Sequence, residues 1–133
     1  MESSPEIRAA VLRLYEAMGA ADIEAIADMF STDPATLVIG SDPTEWWIGH
    51  DAIINAFKSQ LQLSGARRII PGDLQTFSHG TFGWAADRRS MRLQSGQDLT
   101  IRETFIFHKA AGKWRIIQMH ASLAATNEML RGS

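Results

Sequence analysis

The chain has 133 residues, with 13 lysines and arginines against 15 aspartates and glutamates, a net charge of −2 and no cysteine. That length suits one domain over residues 1–133, with a core that needs no staples. The missing cysteines exclude disulfides and thiolate chemistry, and a near-neutral chain without a basic run gives no electrostatic reason to expect nucleic acid.

The opening Met1-Glu-Ser-Ser-Pro-Glu-Ile-Arg8 lacks the apolar core of a leader, and no apolar run nears the roughly 18 residues of a membrane span. A cytoplasmic setting without a membrane partner is the expectation. Ser4 and Pro5 form a cap and first turn, after which Ile7, Val11, Leu14, Tyr15 and Met18 recur on one helical face until Gly19. Asp22 caps a second, short helix that carries Ile23, Ile26 and Phe30 and breaks at Ser31-Thr-Asp-Pro34. Ala35–Ile39 and Trp46-Trp47-Ile48 read as short extended pieces around the turn Gly40-Ser-Asp-Pro-Thr44. A third helix runs from about Asp51 to Leu63, and Ser64-Gly65 closes it.

The second half reads as strands: Arg67–Ser78, Thr81–Leu93, Leu99–His108 and Lys113–Ser122. They are joined by His79-Gly80, Gln94-Ser-Gly-Gln97 and Lys109-Ala-Ala-Gly112, connections of the hairpin kind. Pro71-Gly72 puts a bend or bulge inside the first. Helices followed by a meander of strands predict an α+β fold, with helices covering one face of a curved antiparallel sheet. On the third strand Glu103 stands among apolar neighbours, and a carboxylate is costly to bury without a reason. Alternation places Leu99, Ile101, Phe105 and Phe107 on its face, and Arg102, Thr104, Ile106 and His108 on the other.

This order is similar to the cone-shaped NTF2-like fold. Ala21-Asp-Ile-Glu-Ala-Ile26, Phe30 and Asp33-Pro-Ala-Thr36 resemble the helix-to-strand passage of ketosteroid isomerases and SnoaL-like proteins. Gly40-Ser-Asp-Pro-Thr-Glu-Trp-Trp-Ile-Gly49, with Ala52-Ile53 and Phe57, resembles a SnoaL-like subgroup. Arg102-Glu-Thr104, Gly112-Lys-Trp114 and His120-Ala-Ser122 resemble the association domain of calcium/calmodulin-dependent protein kinase II. The likeness spans about residues 5 to 128. It implies the fold, but not one activity, because the superfamily hosts isomerases, cyclases, dehydratases, association domains and binders. In the isomerases a catalytic Asp lies where this chain has Ile39, which moves no proton. Their tyrosine aligns with Leu14, beside Tyr15, and their protonated acid aligns with Glu103. The likeness therefore argues against a steroid isomerase.

The same likeness turns the Glu103 face into the cone and, with it, Ala86, Arg88 and Ser90, and Ile117 and Met119 of the last strand. Glu103 is the candidate acid or base, and Arg88 the expected neighbour, holding either Glu103 or an anionic ligand. Tyr15, Trp46, Trp47, Trp84 and Met119 are candidate ligand contacts. Only one of Trp46 and Trp47 enters the pocket, since adjacent strand residues face opposite ways. The outer face, with Arg102, Thr104, Gln118 and His120, is the expected homodimer surface, its alternating polar groups suited to a wet interface. No His-Glu-x-x-His, glycine-rich phosphate loop or Gly-x-Ser-x-Gly elbow is present, so no metal or cofactor is expected. The reading is a pocket for a small hydrophobic or anionic molecule, with or without acid–base chemistry of the isomerase, cyclase or dehydratase type. The alternative is a non-catalytic association or ligand-binding module.

Overall fold

Ser4 Oγ accepts the Ile7 amide, and Pro5 opens the first helix, α1 (Pro5–Gly19). The computed structural model describes residues 1–64, 68–93 and 95–132. The expected stop at Gly65, strand start at Arg67 and turn residue Gln94 lie outside the described residues. Ile7, Val11 and Leu14 are fully buried, so the apolar stripe of α1 forms the floor of the core. Asp22 Oδ1 accepts the Ala25 amide and starts α2 (Ile23–Met29). The third helix, α3 (His50–Ser64), follows the short antiparallel pair β2 (Leu37–Ile39) and β3 (Trp46–Ile48).

The other strands are β1 (Glu2–Ser3), β4 (Ile69–Ile70), β5 (Gln75–His79), β6 (Phe82–Arg92), β7 (Asp98–Ala110) and β8 (Lys113–Leu123), and a short helix α4 (Asn127–Arg131) ends the described chain. The strand order is β1-β5-β6-β7-β8-β2-β3, with β4 also on β6. All pairs are antiparallel except β2 with β8. The α+β architecture follows the sequence pattern: helices cover one face of a curved sheet. Among the described residues, no helix is long and apolar enough to cross a membrane.

Three features depart from the expected elements. The strand expected to run to Ser78 is two strands, because Pro71 has no amide to give and the Gly72 and Asp73 amides turn to a side chain instead. Between β7 and β8 the register shifts at Ile106/Phe107, so Phe107 faces Ile116 while Ile106 faces Gln118. Ile116 therefore takes the inner position expected of Ile117, and Met119 stays inward opposite Phe105. On β6 the inner residues are Gly83, Ala85, Asp87 and Arg89, one residue out of step with the expected Ala86, Arg88 and Ser90. A one-residue slip exchanges the two faces of a strand. Gly83 shows which parity the packing requires: a Cβ there would overlap Ile7 Cδ1 and sit 2.7 Å from Phe77 O.

Candidate functional site

β6 and β7 pair with Asp87 directly opposite Glu103 and Arg89 opposite Ile101. Side chains of directly paired residues share a face, so Asp87, Arg89 and Glu103 converge beneath α1. Their side chains are almost wholly buried, at 4%, 4% and 2% exposure. Arg89 Nε donates to Glu103 Oε1 at 2.7 Å. From α1, the Tyr15 hydroxyl lies 2.8 Å from Asp87 Oδ2 and 3.0 Å from Glu103 Oε1. The other oxygen of Asp87 accepts the amides of Gly72 and Asp73 at 3.1 and 2.8 Å. The break between β4 and β5 therefore supplies a backbone cradle for one buried carboxylate.

The cluster holds two acids and one guanidinium. Burial pushes the Glu103 carboxyl above its ordinary value of 4.5, Arg89 and the Tyr15 hydroxyl pull against it, and the nearby Asp87 adds to the rise. Burial also pushes the Tyr15 hydroxyl up, with both acids adding to the effect, so it keeps its proton. Arg89 Nη1 and Glu103 Oε2 have no hydrogen-bond partner among the described residues, although both atoms are buried.

Arg89 also belongs to the wall of a cavity of about 410 Å³ between the sheet and α3. Its other walls are mainly apolar, among them Trp47, Phe57, Leu61, Ile101 and Met119, and a volume of this order suits a small organic molecule. Glu45 stands on the lining too, its Oε1 accepting the Asp42 amide at 2.8 Å and its Oε2 accepting Gln60 Nε2 at 2.7 Å. The cavity is thus an apolar chamber with a buried cation on one wall and a hydrogen-bonded carboxylate on another. Among the described residues, no group of three or more histidines, aspartates and glutamates is placed to hold a metal ion.

The sequence-based candidates separate accordingly. Trp47 and Met119 line the cavity, as does Ile39 in place of the isomerase base. Trp46 is 60% exposed and is not part of the lining. Glu103 and Tyr15, expected as candidate acid or base and as ligand contact, meet each other behind Arg89 rather than on the wall. Arg88 is corrected: it points outward and pairs with Asp73 at 2.9 Å, and Arg89 takes the place beside Glu103. Trp84 is corrected for the same reason of parity. It lies on the outer face and packs on Phe77 with ring centroids 4.9 Å apart. Arg102, Thr104 and His120 border a groove on that outer face, and Gln118 pairs with Ile106 there.

Arg89, Asp87 and Glu45 are the site residues that the sequence reading missed. The first two were detectable from the small residues Gly83 and Ala85, which mark where a helix presses on β6. Asp42, in the turn before Glu45, accepts the Thr44 amide at 2.9 Å in an exposed loop and is not part of the lining.

A family model described as "SnoaL-like domain" matches residues 7–126. No curated protein matches the chain. Among solved structures, an NTF2-like protein of unknown function from Pseudomonas putida superposes with a TM-score of 0.81 at 17% identity, over 93% of this chain and 88% of that one. A candidate calcium/calmodulin-dependent protein kinase type II association domain from Thiobacillus denitrificans gives 0.79 at 17% identity, over 94% and 98%. A candidate dehydratase of the NTF2-like family from Streptomyces avermitilis gives 0.77 at 16% identity, over 91% and 95%. At these identities the likeness establishes the fold alone.

Proposed function

The chain belongs to the SnoaL-like domain family, and from that premise we propose that it is a pocket protein, taking a small, mainly apolar organic molecule into the chamber between its sheet and α3. The observation that carries this reading is the chamber itself: about 410 Å³, apolar on most sides, with the buried Arg89 on its wall. A cation is expensive to bury and is kept inside a fold either by a partner or for a ligand. Among the described residues, Arg89 has a partner for Nε and none for Nη1. If the pocket supports acid–base chemistry of the isomerase, cyclase or dehydratase type, the carboxylate placed to meet the ligand is Glu45, while Glu103 works through Arg89 as a positioning group.

The test uses the neutral fluorophore phenylnaphthylamine. The protein should bind it saturably at one site, and Ala56→Phe, which fills the cavity from α3, should abolish binding while leaving the melting temperature near that of wild type. Absence of saturable binding, or binding unchanged in the filled variant, would contradict the reading.

A second reading, association through the outer face, is favoured by a separate observation. Phe82, Trp84 and Ile106 are 53%, 39% and 38% exposed on one face of the sheet. Arg102, Thr104, Gln118 and His120 stand beside them, which is the mixture of aromatic anchors and polar groups found in protein–protein interfaces. The two readings are compatible, because they use opposite faces.

A further inference from the structure

The Tyr15 hydroxyl has one proton and two carboxyl oxygens within 3.0 Å. One O–H satisfies one of these contacts, and the other short O···O approach needs a second proton. Asp87 is the worse place for it, because its Oδ1 already accepts two backbone amides and its Oδ2 is the nearer acceptor for Tyr15. Glu103 is the better place. A proton on Oε1 donates to the Tyr15 oxygen, Tyr15 donates to Asp87, and Glu103 Oε1 still accepts from Arg89 Nε. The contacts of Glu103 Oε1 are then accounted for, while the buried Oε2 still has no partner among the described residues. Of the groups that face Glu103, Asp87 and Arg89 come from β6 and Tyr15 from α1, while β8 presents Ala121 and Met119, which do not titrate.

This arrangement leaves Arg89 with the positive charge, no anion on Nη1, and a neutral acid on Nε. Asp87 balances the charge only through Tyr15. The unpartnered Nη1 lies on a residue that is 4% exposed and that lines the apolar chamber. An acceptor that carries its own negative charge is what this geometry lacks, and an apolar body is what the remaining wall receives.

Resting on the pocket reading above, we propose that the chamber takes an apolar molecule ending in one carboxylate, with that carboxylate against the Arg89 guanidinium, which lines the chamber, and Glu103 held as the neutral acid behind it. The guanidinium is then shared between a neutral acid on one edge and the ligand anion on the other. Glu45, bonded by Gln60 and the Asp42 amide, disfavours a second anionic group on the same ligand, so the class is an apolar monocarboxylate rather than a dicarboxylate.

The experiment is a calorimetric comparison of octanoate with octanamide, which has the same chain and a neutral head. Wild-type protein should bind octanoate about tenfold tighter or more. Arg89→Met should abolish the preference, and Glu103→Gln, a neutral stand-in for the acid, should keep it. If Arg89→Met does not fold, Arg89→Met with Glu103→Gln replaces the whole pair by neutral groups and gives the same readout. The infrared spectrum of the octanoate complex should contain a protonated-acid C=O band that Glu103→Gln lacks. Equal affinity for the two ligands, a preference surviving in Arg89→Met or lost in Glu103→Gln, or the absence of that band would overturn the proposal. Equal binding of both ligands would leave the pocket reading standing, whereas failure of octanoate, octanamide and phenylnaphthylamine alike would remove both.

Discussion

Arg89 and Glu103 meet diagonally across β6 and β7, Nε to Oε1 at 2.7 Å, while the preceding Arg88 turns to solvent and pairs with Asp73. Two adjacent arginines thus have opposite environments. The inner pair has side-chain exposures of 5% and 0%, the outer pair 67% and 54%. Consequences for stability follow from that contrast rather than from the count of ion pairs.

Arg88→Ala should leave the urea midpoint near that of wild type, because an exposed pair gains little in water and is screened by salt. Arg89→Met should lower stability by about 1–3 kcal/mol, since it removes the buried donor to Glu103 and leaves that acceptor unsatisfied. Urea unfolding of the two variants side by side checks this, and similar losses in both would contradict the assignment of faces.

Tyr15→Phe preserves the ring and removes the hydroxyl that stands between Asp87 and Glu103. The expected loss is about 1–3 kcal/mol, the range for leaving a buried acceptor unsatisfied. In a Glu103→Gln background the loss should differ, because the two groups share one hydrogen-bond network. A double-mutant cycle measures the difference, and strict additivity would show that Tyr15 and Glu103 do not act together.

The raised Glu103 carboxyl fixes the sign of a pH effect. Below its ordinary value of 4.5 it is protonated in both the folded and the unfolded chain, and the fold bears no penalty. As pH rises past 4.5 the unfolded chain releases the proton and the folded chain keeps it, so stability falls until the folded value is passed, and then levels. Asp28, held low first by its hydrogen bond from Lys113, works in the opposite direction, losing its contribution as pH falls. Subtracting the pH profile of Glu103→Gln from that of wild type isolates the Glu103 slope. A difference that rises with pH over this window would contradict the burial account.

Much of this arrangement was legible in the sequence. Alternation along Leu99–His108 identified Ile101, Glu103, Phe105 and Phe107 as one face, and all four are buried. The caps at Ser4 and Asp22 and the stripe of α1 were equally readable, because they depend on neighbours within one turn. The parity of β6 was not, since it depends on which residue of β7 faces Asp87, a pairing across a loop. Only the small residues Gly83, against Ile7, and the buried Ala85 hinted at it. The role of Asp87 depends on amides 14 and 15 residues away in the chain. The inward position of Ile116 depends on the bulge in β8 and has no local mark. The two-residue β1 and the five-residue α4 are too short for periodicity to reveal.

The outer face yields its own prediction. If Phe82, Trp84 and Ile106 are covered by a second copy, the protein sediments as a dimer, and Ile106→Lys shifts it to monomer without a large fall in melting temperature. Sedimentation velocity of the two proteins at equal concentration decides it. A wild-type monomer would remove the association reading and leave the pocket reading untouched.

Whether Arg89 anchors a ligand inside the chamber is decided by a crystal structure of the protein grown with octanoate. A carboxylate oxygen should lie within hydrogen-bond distance of the Arg89 guanidinium, with the chain along Trp47, Phe57 and Met119. A chamber without octanoate, or octanoate bound only in the groove beside Arg102 and His120, would contradict it.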